Sequence, residues 1–412
     1  MFPKISFVYQ LFAFVSLVIF VIMVIPHQQH ANSRGTPRFL LKNPPEKEVE
    51  YRGNFIVFRN YIQADMQFRS SESVTLSVPG DYRFLDNILQ LVDRWRGPIS
   101  VALYAPGYDF FSTLQSIAYL RICSGNSLVK ELVTFHLFFE HDHIPIQHDR
   151  PLLDIYRDEF DCSQKPPFET VKDGDMYKER KNLTYPINVA RNVAKLNAQT
   201  HFVFPSDIEL YPTRNFIKEF LEFVQKRPDY FKKNSTNVFV LPLFEILEGY
   251  RIPETKKELQ DMIRNKTAIT FHEKVCGSCH RVPRVKEWLE QTDSIGLDVF
   301  TAAKRHGKQI VWEPFFVCTQ KEPLWDERLN WEGQGNKMCQ AYYLCMLDYD
   351  FLVLDNAFLI HKPGVKKKKV QNIKHKDQKY KNDLILKSIQ DEITKIYGEN
   401  DKCRIHNLFL NN

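Results

Sequence analysis

The chain has 412 residues, of which 43% are hydrophobic and 26% charged, with a formal net charge of +6. That composition suits one large domain or two moderate ones. The basic residues are interspersed with acids, which excludes an electrostatic case for nucleic acid as a partner, and no solenoid-type repeat is present. From Ile5 to Ile25 the chain is apolar apart from Ser6, Tyr9, Gln10 and Ser16. A helix of that length spans about 31 Å, against a hydrocarbon core of about 30 Å. The following Pro26-His-Gln-Gln-His30 offers no small-x-small cleavage site, so the expectation is an uncleaved signal anchor over 5–25 behind a cytoplasmic tail of residues 1–4.

Two further features predict that the bulk lies in the secretory lumen, as in a type II membrane protein. Asn182-Leu-Thr184, Asn234-Ser-Thr236 and Asn265-Lys-Thr267 are glycosylation acceptors, and the eight cysteines form an even set whose pairing spacing does not reveal. Residues 26–72 are rich in Pro, Asn, Gln and charge and read as a stem; the one strand-like piece, Phe55-Ile-Val-Phe58, belongs either to it or already to the domain's edge.

From Val74 the periodicity changes. Strands are expected at Val74–Val78, Ile99–Tyr104 and Leu132–Phe139, with helices over Phe84–Trp95 and Asp109–Ile122 between them. Such alternation predicts an α/β layer with a mainly parallel sheet, whose ligands gather outside the carboxyl ends of its strands. Ser77 to Arg83 and Tyr104 to Asp109 are therefore the first candidate pocket segments. Glu140-His-Asp-His143 is a dense polar cluster, read as a solvated loop because no fourth ligand is spaced for zinc. Tyr185–Asn197 reads as a helix starting near Pro186, with Asn188, Arg191 and Asn192 off its apolar side.

That helix leads into His201-Phe-Val-Phe-Pro-Ser-Asp-Ile-Glu-Leu-Tyr-Pro212. On an extended segment Asp207 and Glu209 share one side, and two hard oxygen ligands at a strand end form a candidate Mg²⁺ or Mn²⁺ site against a diphosphate. A guanidinium matches phosphate geometry, which makes Arg191 a candidate diphosphate contact. A helix over Asn215–Arg227 and a strand at Val238–Leu241 follow. Cys276-Gly-Ser-Cys279-His280 has redox, zinc and haem readings beside the plainer one of a structural disulfide. Ile310–Val317 reads as a strand with Pro314 marking an edge or bend. Acids then recur at Asp326 and Glu327, a helix is expected over Lys337–Leu347, and Phe351–His361 reads as strand, turn and strand. His361 completes a carboxylate–carboxylate–imidazole set of the kind Mn²⁺ takes. The basic run from Lys366 opens a C-terminal extension, residues 365–412, helical over Asp383–Tyr397.

Taken in order, Gly97-Pro-Ile-Ser100, Tyr185-Pro-Ile-Asn-Val-Ala-Arg-Asn192, the Asp207 segment, Trp312-Glu-Pro314, Asp326-Glu-Arg328, Gly335-Asn-Lys337 and Phe358-Leu-Ile-His361 resemble glycosyltransferase family 49. That family includes the β-1,4-glucuronyltransferases and the C-terminal domain of LARGE-type xylosyl/glucuronyltransferases. The resemblance implies a GT-A fold over residues 73–364 in a Golgi membrane enzyme. It implies an inverting transfer of glucuronic acid from a UDP-sugar to a glycoprotein glycan acceptor, xylose-terminated in the simplest case, with Mn²⁺ or Mg²⁺ as cofactor. Metal roles carry over to Asp207, Glu209 and His361. Ser77, Asn188 and Arg191 are the candidate nucleotide contacts, and Asp326 or Glu327 the candidate base. Arg281, Arg284 and Arg328 are candidates to meet the donor's carboxylate. Glu209 stands where the family's motif carries Asp, so a catalytically inactive, glycan-binding or chaperone-like relative is the alternative. Both homo- and hetero-oligomers are compatible with the sequence.

Overall fold

The computed structural model describes residues 47–145, 151–232, 234–292, 294–365 and 373–403. The expected tail and anchor, the stem as far as Glu46 and the Lys366–Lys369 run lie outside them. Among the described residues no helix is long and apolar enough to cross a membrane.

Fourteen strands form two sheets. In chain order they are β1 (Glu48–Arg52), β2 (Phe55–Ile62), β3 (Val74–Gly80), β4 (Ile99–Tyr104), β5 (Val133–Glu140), β6 (Phe202–Pro205), β7 (Leu210–Pro212), β8 (Asn237–Leu241), β9 (Leu243–Ile246), β10 (Ala268–Thr270), β11 (Val299–Ala303), β12 (Phe315–Thr319), β13 (Asp350–Leu354) and β14 (Leu359–His361). The larger sheet runs β1-β2-β5-β4-β3-β6-β12-β8-β13-β11. Its centre, β5-β4-β3-β6, is parallel, and every residue of β3 and β4 is buried. Helices cover both faces of such a block, so its strands read as continuous apolar runs rather than alternating ones. One face packs under the helices Ile88–Trp95 and Asp109–Ile122. The other meets Val189, Ala190, Val193 and Ala194 of the Ile187–Leu196 helix, the face predicted from its spacing.

The strand order β5-β4-β3-β6 reverses direction of build between β3 and β6, and a crevice opens at such a switch point. Beyond it β12 runs antiparallel to both β6 and β8, while β8 and β13 are parallel. The sheet is thus mixed, with a parallel core, in keeping with the expected α/β layer. The smaller sheet, β10-β9-β14-β7, joins the two ends of the site, because β14 pairs antiparallel with β7 and sets His361 opposite Leu210.

Four expectations need correction. The sheet takes in residues before the expected boundary at 73: β1 and β2 form a hairpin whose second strand pairs with β5, so Phe55–Phe58 belongs to the domain's edge rather than to the stem. The Phe84–Trp95 element divides into a 3₁₀ turn, Tyr82–Asn87, and an α-helix from Ile88. The expected Ile310–Val317 strand begins only at Phe315, inside the sheet rather than at an edge. Pro314 has no N–H to give a ladder, so pairing starts after it. The C-terminal helix is longer than expected, Ile373–Tyr397, and packs Leu386, Ile389 and Ile393 against Trp325, Leu329, Met338 and Tyr342. Gly333 permits that approach, since a Cβ there would lie 2.2 Å from the Asn382 side chain.

Three disulfides form, Cys123–Cys162, Cys276–Cys279 and Cys345–Cys403, while Cys318 and Cys339 are buried thiols. The Cys-x-x-Cys segment therefore has the structural pairing, within itself. Asn182, Asn234 and Asn265 are all exposed.

Candidate active site

Asp207 lies two residues beyond the end of β6, on the seam with β3, where the Ser206 N–H donates to the Ser77 carbonyl at 2.9 Å. Its neighbours come from distant parts of the chain. Arg191 Nη2 lies 3.3 Å from one carboxylate oxygen and Lys337 Nζ 3.0 Å from the other. Burial by itself would raise the Asp207 carboxyl, but Lys337 and Arg191 together outweigh it and hold the group well below the usual carboxylate range. The same burial lowers the Lys337 ammonium, which Asp207 opposes. Lys337 also sits 3.7 Å from the centre of the Phe315 ring.

The polar residues of the Ile187–Leu196 helix build the wall of this site. Asn188 is fully buried; its amide donates to the carbonyls of Asp326 and Asn336, and its oxygen accepts from Arg191. Arg191 reaches Asn336 Oδ1 at 2.6 Å as well. Asn192 donates to the Trp325 carbonyl and to Glu327, and accepts from the Trp325 N–H. Asn188 thus holds the 326–336 loop and Arg191 in place. Arg191, by contrast, lines the pocket directly, together with Asp207, Lys337, Trp325, Phe315 and Glu313.

Asp207 and Glu209 do not share a side of an extended segment. Leu210 N–H donates to the Asp207 carbonyl, closing a turn, and Glu209 meets different partners. Its Oε1 lies 3.0 Å from His361 Nε2. His361 Nδ1 is 2.8 Å from the Lys362 carbonyl, which only accepts, so Nδ1 carries a proton. In the neutral ring Nε2 then presents a lone pair to a carboxylate, a contact that needs a proton or a cation between the two atoms. The donor set therefore fits a hard divalent ion. Among the described residues Asp207 does not close with that pair into one compact three-ligand cluster; the group that does, His306 with Cys345 and Cys403, contains a disulfide.

Ser77 is buried at the switch point, and the hydroxyl oxygens of Ser77 and Ser206 have no hydrogen-bond partner. Glu140-His-Asp-His143 gathers no ligand cluster: Glu140 accepts from the Tyr104 hydroxyl and His143 Nδ1 meets that of Tyr177.

A family model described as "Glycosyl-transferase for dystroglycan" matches residues 73–398. The chain belongs to this family. It is a glycosyltransferase, similar to the zebrafish (Danio rerio) Beta-1,4-glucuronyltransferase 1, with 26% identity over 86% of this chain and 85% of that protein. The human protein of that name is 25% identical over 76% of this chain and 73% of its own length. Human Xylosyl- and glucuronyltransferase LARGE1 is 25% identical over 71% of this chain, which corresponds to 31% of that longer protein.

For a glycosyltransferase of this family, two acids proposed from sequence are placed unfavourably for proton transfer. Asp326 accepts from Arg328 through both oxygens, and Arg328 also grips Glu392 on the C-terminal helix. Glu327 accepts from Arg52 and Asn192, each at 2.7 Å. Of the cations proposed to meet a sugar carboxylate, Arg284 pairs with Glu287 and Arg328 is engaged as above. Neither lines the pocket, nor does Arg281. Two pocket residues escaped sequence reasoning, Lys337 and Glu313. Both lie in segments that carry the family resemblance, Gly335-Asn-Lys337 and Trp312-Glu-Pro314, where a charged residue stands beside a glycine or proline turn.

Proposed function

We propose that this protein transfers glucuronic acid, with inversion, from a UDP donor to a glycan acceptor on a glycoprotein. In this reading it is a single-pass type II protein of the Golgi membrane with a luminal catalytic domain and uses Mn²⁺ or Mg²⁺. The observation that carries the reading is the juxtaposition at the β6 end of two features. One is the Glu209–His361 pair, 3.0 Å apart; the other is Asp207 held between Arg191 and Lys337. Glu209 and His361 would hold the divalent ion, with Asp207 beside them. When bound, that ion supplies charge neutralisation to the departing diphosphate. Arg191 and Lys337 place fixed positive charge where the diphosphate is to lie, and Asn188 and Asn336 keep the guanidinium aimed there. The Ser77 and Ser206 hydroxyls, buried and without partners among the described residues, lie at the switch point, where a bound nucleotide would offer them one. Glu209 reaches His361 despite its extra methylene, which weighs against the binding-only alternative.

The test is transfer by the full chain from a panel of UDP-sugars, with Mn²⁺ and with chelator, for the native protein and Asp207→Asn. UDP-glucuronate is expected to be the preferred donor, and both chelator and the substitution to abolish turnover. Transfer that survives both overturns the metal assignment; preference for another donor overturns the sugar.

A further inference from the structure

Inverting transfer requires a carboxylate free to accept the acceptor's hydroxyl proton, and the chain offers one that the sequence pattern concealed. Among the residues lining the pocket only Asp207 and Glu313 carry a carboxylate. Asp207 is engaged by two cations. The Glu313 carboxylate makes no side-chain hydrogen bond or ion pair with the described residues. Its placement follows from the one reversed strand in the middle of the sheet. Because β12 is antiparallel to β6, its amino end lies at the same edge as the carboxyl end of β6. Glu313, two residues before Phe315, is thereby delivered to the pocket from the strand next to the one that delivers Asp207.

The backbone of Glu313 is held on both sides. Its N–H donates to the Cys279 carbonyl at 2.8 Å, and its own carbonyl lies 2.9 Å from His280 Nδ1. The loop doing this is closed by the Cys276–Cys279 disulfide, and His280 is almost fully buried. Pro314 follows directly and restricts Glu313 to extended backbone. Glu313 thus lines the pocket on a backbone fixed at both ends; burial pushes its carboxyl up, opposed by the charges of Lys337, Arg191 and Arg305, and the organisation is that expected of a reacting group rather than of a surface acid.

We propose that Glu313 is the general base of the transfer reaction, in place of Asp326 and Glu327. The proposal rests on the transferase reading above. The Glu313 carboxylate takes the proton of the acceptor hydroxyl as that oxygen forms its bond to the anomeric carbon of the donor sugar. The bond from that carbon to the diphosphate oxygen breaks, and its electron pair leaves with UDP. Glu313 then returns the proton to solvent.

The experiment compares the full-length native protein with Glu313→Gln, Glu313→Asp and Asp326→Asn. It measures kcat and KM for transfer and, separately, UDP–Mn²⁺ affinity by calorimetry. Glu313→Gln is expected to lose about 10²–10⁴-fold in kcat with UDP affinity within about threefold of native, and Glu313→Asp to recover part of the rate. Asp326→Asn is expected to lose far less kcat than Glu313→Gln. A Glu313→Gln protein that turns over within tenfold of native overturns the assignment. So does one that loses UDP binding along with turnover, since that marks a structural role. Absence of transfer from every UDP-sugar by the native protein overturns the transferase reading itself, and the base with it.

Discussion

Glu209 and His361 approach each other through a contact that is unfavourable for two lone pairs and favourable for two ligands. If they hold one ion, each supports the other. Glu209→Ala and His361→Ala should each raise the Mn²⁺ concentration for half-maximal transfer by about tenfold or more. The double substitution should cost clearly less than the product of the two, because removing one ligand already loses most of what the second contributes. Multiplicative losses in a metal titration would show independent roles. Arg191 and Asn188 divide a task that sequence could not divide. Both fall off the apolar side of one helix, yet Asn188 is fully buried and braces the loop, whereas Arg191 lines the pocket. Periodicity shows which residues leave the apolar stripe; it does not show which loop will cover them.

At the scale of elements, buried polar groups add their own pH dependence. His136 on β5 is fully buried. It accepts from the Asn60 N–H at Nδ1, which leaves Nε2–H to meet the Ser100 hydroxyl, itself donating to the Ala194 carbonyl. Burial pushes its pKa down to about 3, and burial does the same for His280. The unfolded chain therefore binds protons near pH 6.5 that the folded chain refuses, and stability falls as pH drops below that value. Each histidine contributes a slope of about 1.4 kcal/mol per pH unit. Denaturant titrations at pH 7, 6 and 5 should show this loss, with a shallower slope in His136→Gln; a flat profile would contradict it. The Cys345–Cys403 bridge closes a segment with a separation of 58 residues, for which chain-entropy arguments give about 4 kcal/mol. Cys403→Ser should lower the melting temperature. It should also lower activity, because the helix it anchors supports Trp325 and Met338, on either side of the pocket wall. The strands β3, β4 and β5 and the helices Asp109–Ile122 and Ile187–Leu196 were legible because each carries its own periodicity, whereas the short β7 and the turn at Asp207 carry none. The start of β12 was not, because an apolar run does not reveal where a proline will end the ladder, and that misplacement hid Glu313.

At the scale of the whole molecule, the hairpin β1–β2 covers one edge of the larger sheet. Phe58 and Tyr61 of β2 pack with Phe110 and Phe139. Without β2, strand β5 would become an exposed apolar edge, open to pairing with other chains. A fragment beginning at Pro44 is expected to be soluble and monodisperse by size-exclusion chromatography, whereas one beginning at Val74 should aggregate. Equal behaviour of the two would show the hairpin to be dispensable. The expected stem took in β1 and β2 because Pro and charge around a hairpin resemble linker composition until the pairing strand, β5, is known.

The reversed strand at the centre of the sheet also has a consequence for synthesis. Asp207 leaves the ribosome more than a hundred residues before Glu313, and Lys337 follows later still. The parallel block and its switch point can assemble while the chain is still growing, but the acidic and basic groups of the pocket cannot meet until β12 has slotted between β6 and β8. Contacts of such sequence separation form late and slowly. A nascent chain is thus folded in its first half well before it possesses chemistry, so an incomplete product is inert rather than partly active.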